Sequence, residues 1–502
     1  MAQATRLETS PQAPERSSRR WVALGFIAIA QLMVALDTTI VSIALPSAQR
    51  GLQASDAERQ WVITAYTLAF GSLLLLGGRV ADLFGRKRAF LVGLAGFALA
   101  SAIGGSAPSL GVLIAARALQ GAFGALLTPT VLSLLAITFT EPRERARAFA
   151  LYGAVAGSGA AAGLLLGGIL AQYLSWRWCL YVNLPFAALA AAGGWKYLQG
   201  SGPAGRARFD VPGVALVTAG LVALVYACAR AVSEGWSSLP VETLLAASGL
   251  LLLLFVLRER QAAEPLLPLR VVLDRNRGGA YLVVALAAAG MFGAFLFLTY
   301  YLQAVLRYSP LQAGLAFLPI TLATQAGSWG IASWLMPRLP ARALMFPGAL
   351  VAAAGMALLT QVQVHSGYLT LVLPAEILLG VGMACAMVPA FSLATLGVQR
   401  SDAGVAAATA NTAQQVGASI GVAALNTIAA GASTAYAAGA GRHLDLAQAL
   451  VHGYQLASVW ATAALVLAAL VALVLVNARH SPSRHLLTRT ADAGKTGPIR
   501  PG

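Results

Sequence analysis

Fourteen stretches of this chain are apolar over about the length that carries a helix across a bilayer, roughly 20 residues. They fall at 21–43, 61–78, 89–106, 110–133, 148–171, 178–195, 212–229, 243–257, 279–302, 312–334, 343–361, 368–391, 403–428 and 453–477, the eighth being short. The runs are continuous rather than alternating, and no period of about ten residues appears, which argues against a membrane β-barrel. The expected fold class is therefore an all-α integral membrane protein. Composition agrees: 58% of the residues are hydrophobic and 10% charged, where a soluble domain carries about 25% charged residues. An ordinary cytosolic enzyme, a disordered chain and a disulfide scaffold are excluded. Cys179, Cys228 and Cys385 stand far apart in apolar runs, without metal-type spacing, and read as small buried apolar residues.

The net charge is +16. In a soluble protein that balance suggests a nucleic-acid partner, but membrane topology accounts for it first. An even number of spans puts both ends on one side. With that side cytoplasmic, 27 of the 34 Lys and Arg fall inside and only Arg50, Arg59, Arg177, Arg230, Arg307 and Arg442 outside, Arg117 lying within a span. The split follows the positive-inside rule and needs no nucleic acid. Residues 1–20 are polar, and no small-residue cleavage site follows the first run, so no cleaved signal peptide is expected. The loops are too short for a soluble domain. The longest, 258–278 and 429–452, have room for a short surface helix, and 478–502 reads as a cytoplasmic tail. Its Gly494-Lys495-Thr496 lacks the leading glycine and the preceding strand of a phosphate-binding loop.

The loop after the second span reads G-R-V-A-D-L-F-G-R-K-R. Gly78 and Gly85 permit a tight reversal. Asp82 suits a cation partner or a helix N-terminus, and Arg86, Lys87 and Arg88 suit an anionic inner leaflet. At this full spacing the loop resembles the signature loop of the major facilitator superfamily. L-D-T-T-I-V-S-I-A-L-P (36–46), L-I-A-A-R-A-L-Q-G-A-F-G-A (113–125), W-R-W-C-L-Y-V-N-L-P (176–185) and Y-L-Q-A-V-L-R-Y-S-P-L-Q-A-G (301–314) are similar to motifs of its fourteen-span drug:proton antiporters.

The resemblance covers about residues 20–478. It implies two six-helix bundles plus two inserted helices: a tail at 1–20, bundles at 21–195 and 279–477, the inserted pair and a linker at 196–278, and a tail at 478–502. On the fifth span the family pattern G-x-x-x-G-P-x-x-G-G is met by G-A-A-A-G-L-L-L-G-G, with Leu164 in the proline position. Gly159, Gly163 and Gly167 share one flat face, next to Gly168, where another helix can approach closely. Packing alone is the competing account of these glycines.

Asp37, Arg117 and Glu376 are the charged residues well inside spans. Such residues are costly in lipid and usually face a bundle interior or a water-filled cavity. At 1.5 Å per residue all three are expected roughly 9–12 Å below the outer edge. The resemblance implies that their spans border a central cavity, and the three are expected to couple transport to protons. A structural ion pair for Asp37 and Arg117, and a water-exposed place near the outer mouth for Glu376, are the competing accounts. Asn411, Gln414 and Gln415 share one face of the thirteenth span. With Gln31, Tyr300 and Gln303 they are substrate-binding candidates or, alternatively, links between helices.

The resemblance implies a secondary transporter in the cell membrane that exports small amphipathic organic compounds, drugs or antibiotics, in exchange for protons. No cofactor, metal or obligate protein partner is expected. A same-fold facilitator importing a nutrient or siderophore, and a non-transporting membrane sensor, are the alternatives.

Overall fold

Lipid offers no partner to a backbone N–H or C=O, so long apolar runs close their hydrogen bonds internally as helices. The structure, a computed structural model, describes residues 13–139, 141–198, 210–262, 267–396, 398, 403–440 and 446–477. Among them every expected run is helical. The helices are α1 (Ala13–Gly51), α2 (Asp56–Phe84), α3 (Arg86–Gly105), α4 (Leu110–Thr138), α5 (Pro142–Tyr173), α6 (Trp178–Tyr181), α7 (Asn183–Tyr197), α8 (Val211–Glu234) and α9 (Leu239–Gln261). There follow α10 (Leu269–Val272), α11 (Arg275–Tyr300), α12 (Pro310–Ala316), α13 (Leu318–Ala326), α14 (Ser333–Leu335), α15 (Ala341–Leu359), α16 (Leu373–Thr395), α17 (Ala403–Ala440) and α18 (Leu446–Leu475). Among the described residues ten helices are long and apolar enough to cross a membrane.

Several expectations change. The short eighth run lies in α9, whose 23 residues give it full crossing length. The expected loop 429–452 is largely taken up by α17 and α18, because its alanines extend both helices. The tenth run is not one helix: Pro319 starts a new segment at α13, and π-helical turns form at Gly327–Ala332, as also at Tyr301–Val305 and Tyr368–Val372. In the loop 258–278 a short helix, α10, does form. The tail 478–502 lies outside the described residues.

Helices α1–α7 pack on one another: α2 and α3 against α4, and α1 against α5 and α7. Helices α11–α18 form a second group, and α8 and α9 pair with each other while α8 lies against α2 and α17. Both ends of the described chain lie on one face, here the terminal face. Arg20 near the start of α1 pairs with Glu144, and Asn276 at the start of α11 accepts from the backbone of Asn477. The opposite, far face carries the α1–α2 loop. There Ser55 caps α2 and donates to Glu58 from both its hydroxyl and its amide, holding that carboxyl below its ordinary range.

The apolar core is distributed unevenly. Toward the far face one continuous cluster joins the groups, from Leu36, Ile40 and Ile43 of α1 to Phe297, Tyr301 and Phe317. Toward the terminal face the first group has its own cluster around Leu24, Phe90, Phe97 and Leu134, and the second another around Val283, Met345 and Ala469. There the bridging comes from α8 and from Ala408 of α17.

Candidate functional site

Asp37 and Arg117 are brought together, fully buried. The guanidinium Nη1 lies 2.5 Å from Asp37 Oδ2. Asp37 Oδ1 accepts from Gln120 Nε2 at 3.0 Å and from Asn183 Nδ2 at 2.7 Å. Arg117 also donates to Gln120 Oε1 and to the Val62 carbonyl, and it sits over the Tyr66 ring at 4.4 Å. Ser101 accepts from Gln120 and Asn183. Charge-assisted bonds of this kind are the strong ones, and satisfying every lone pair is what makes a buried charge tolerable. All of these partners come from the first group of helices. The pair thus sits inside one bundle, rather than in a hollow shared by both.

Gln120, Asn183 and Ser101 escaped sequence reading. Gln120 lies three residues after Arg117, hence on the same helix face, and Asn183 is a lone amide in an apolar run. Both signals were present in the sequence.

The α5 glycines press against α1. A Cβ on Gly163 would stand 2.7 Å from the Leu36 carbonyl, one on Gly159 2.9 Å from Ala35 Cβ, and one on Gly167 3.0 Å from the Ile40 carbonyl. Gly168 turns the other way, 2.8 Å from the Pro310 carbonyl by the same measure. Leu164, fully buried, leaves α5 one unbroken helix, and its carbonyl abuts Gly314. The helix is therefore held by α1 on one side and α12 on the other.

The signature loop is hardly a loop. Gly85, at φ +88°, is the single link between α2 and α3, a conformation suited to glycine. Gly78 lies over Pro129. Lys87 donates to the carbonyls of Trp195 and Leu198, both at 2.7 Å. It caps the C-terminal end of α7, where cations are favoured, instead of resting on lipid. Arg86 is half-buried and Arg88 exposed. The Asp82 side chain lies outside the described residues.

Glu376 is buried in the second group, apart from the Asp37 cluster. The Tyr368 hydroxyl lies 3.1 Å from its Oε2 and 2.6 Å from the Ala316 carbonyl. A hydroxyl has one hydrogen, so Tyr368 cannot donate to both. Full satisfaction of the trio needs a second hydrogen, which the carboxyl group can bring. Glu376 Oε1 has no hydrogen-bond partner among the described residues.

The substrate candidates are dispersed. Gln31 accepts from the Tyr152 hydroxyl at 2.8 Å. Tyr300 donates to Gln49 at 2.7 Å, and Gln303 donates to the Ile43 carbonyl at 3.1 Å, so both link the two groups near the far face. Asn411 donates to the Ala407 carbonyl of its own helix. Gln415 packs on Gly71 of α2, and its buried Oε1 has no hydrogen-bond partner among the described residues; Gln414 is half-buried. Two further links, Ser419 to Thr67 at 2.6 Å and Asn426 to Gln60 at 2.9 Å, join α17 to α2.

Comparison with known proteins places this architecture. The puromycin resistance protein of Streptomyces alboniger is 54% identical over 465 residues, 92% of each chain. The cephamycin export protein of Amycolatopsis lactamdurans is 40% identical, covering 82% of this chain and 86% of its own. The tetracenomycin C resistance and export protein of Streptomyces glaucescens is 35% identical, covering 82% and 76%. Among solved structures, a bacterial homologue of the human lysosomal transporter Spinster matches with a TM-score of 0.64 at 16% identity, over 93% of this chain and 98% of that one. The sequence pattern of the Major Facilitator Superfamily matches residues 27–422. With its all-helical, multi-pass architecture, the chain belongs to the major facilitator superfamily.

Proposed function

We propose that this protein exports small amphipathic organic compounds, antibiotics among them, across the cell membrane in exchange for protons, its two halves opening alternately to either side. The helical runs are read as fourteen crossings, with the terminal face cytoplasmic as the distribution of Lys and Arg requires. The observation that carries the reading is the uneven core: fused toward the far face, divided toward the terminal face. A molecule joined at one face only is suited to rocking between two openings. The resistance and export proteins named above support an organic cargo.

Proton coupling falls to Asp37, with Arg117 as its fixed counter-charge, and to Glu376. Protonating Asp37 removes the ion pair that ties α1 to α4 and loosens the first half. A proton crossing roughly 150 mV supplies about 3.5 kcal/mol, enough for a gradient of a few hundredfold. The test is accumulation of a fluorescent amphipathic dye in inverted vesicles carrying the protein, with a susceptibility panel in a pump-deficient host. Accumulation that collapses with the pH gradient is expected. Dye movement indifferent to that gradient overturns the coupling, and no movement of any compound overturns export.

A further inference from the structure

At the far face a cavity of about 520 Å³ opens between the two halves, within the range of small-ligand pockets. Three arginines line it: Arg50 and Arg59 from the α1–α2 side and Arg307 from the loop after α11. They are half of the six basic residues that the charge count places on this side. Arg59 is buried, 3.7 Å above the Tyr300 ring. Arg50 and Arg307 form no ion pair among the described residues, and the nearby Glu58 carboxylate is occupied by Ser55. Like charges gathered in one hollow repel unless something compensates them.

A second observation is independent of charge. Gln53 and Arg307 are the non-glycine residues with left-handed φ among the described residues, at 54° and 59°, and both line this cavity. Such backbone is strained for residues other than glycine and gathers at ligand clamps. Here it brings Gln53 of one half and Arg307 of the other to the same space.

We propose that this cavity binds a phosphate-type oxyanion, which clasps the two halves together at the far face. The planar guanidinium fork matches such oxygens two at a time, and Gln53, Gln303 and the Arg59 floor complete a polar lining. The oxyanion belongs either to a soluble molecule or to a lipid headgroup. Binding does not depend on the export reading, because it is measured with neither cargo nor pH gradient.

The test uses the purified full chain at low salt, titrated with pyrophosphate, and in parallel the chain in nanodiscs with or without phosphatidylglycerol. Calorimetry and the thermal midpoint are read in each arm. Pyrophosphate binding identifies a soluble ligand; stabilisation by phosphatidylglycerol alone identifies a headgroup. Either arm supports the site, provided that the effect weakens at least about tenfold in both Arg50→Gln and Arg307→Asn. Asparagine tolerates the left-handed backbone, so the second variant removes charge without adding strain. No response in either arm up to ~10 mM pyrophosphate, or a response unchanged in both variants, overturns the proposal.

Discussion

Among the described residues the two halves each bury one carboxylate, and they hold it in opposite ways. Asp37 is fully engaged: an arginine and two amides occupy its oxygens. Glu376 has one oxygen beside Tyr368 and the other without a hydrogen-bond partner among the described residues. A charge compensated on every side is held in place, whereas a half-satisfied carboxyl group can change its proton at little structural cost. The same fold thus carries an acid whose protonation disrupts packing and one whose protonation completes it.

Asp37→Asn should break this contrast most severely. It leaves Arg117 buried without its counter-charge, a cost of about 3–5 kcal/mol, and should abolish proton-coupled export. Adding Arg117→Gln should recover most of the thermal midpoint but not the transport. Undiminished export by the single variant would remove Asp37 from the mechanism.

Glu376→Gln sharpens the other side. The amide keeps the size and a donor, so stability should move by less than about 1 kcal/mol. Gradient-driven dye accumulation should fall about tenfold or more, a loss of the order expected for a proton-transfer group. Equal losses of stability and export would instead make Glu376 a structural residue.

Gly163→Val tests the seam between α5 and α1. Its Cβ would meet the Leu36 backbone, costing about 1–3 kcal/mol by overpacking and lowering export severalfold at most. Gly25→Ala, where nothing lies within 4 Å, is the control and should leave the melting curve unshifted or slightly raised. Smallest of all, Lys87→Met removes two bonds to the end of α7 and should lower the thermal midpoint by the equivalent of about 1 kcal/mol. If lipid contact were its role, the loss would vanish in detergent; a cap keeps it.

Much of the helical layout could be read from the sequence because lipid imposes one solution on a long apolar run. Boundaries were less legible where alanine carries helices past the apolar stretch, as in α17, or where packing inserts a π turn, as before Glu376. The Asp37–Arg117 contact could be anticipated from charge in apolar surroundings. Its closure by Gln120 and Asn183 depends on how α3, α4 and α7 meet, which no single run reveals. Glu376 and Asp37 share a depth in the sequence and fall in different expected bundles, but depth along a helix does not say which polar groups a side chain meets, so the tyrosine beside Glu376 was not legible. Likewise Lys87 read as lipid-facing because its true partners lie over a hundred positions away.

The glycine row on α5 carries a last consequence. Along it α1 comes close with main chain and side chain together: the Leu36 and Ile40 carbonyls beside the Ala35, Thr39 and Ile40 side chains. So close a seam leaves little slack, because few side-chain atoms stand between the two backbones. One thin helix thus serves as a spacer between α1 and α12, and bulk added along its glycines should push α1 away while leaving the α12 contact at Gly168 and Leu164 in place.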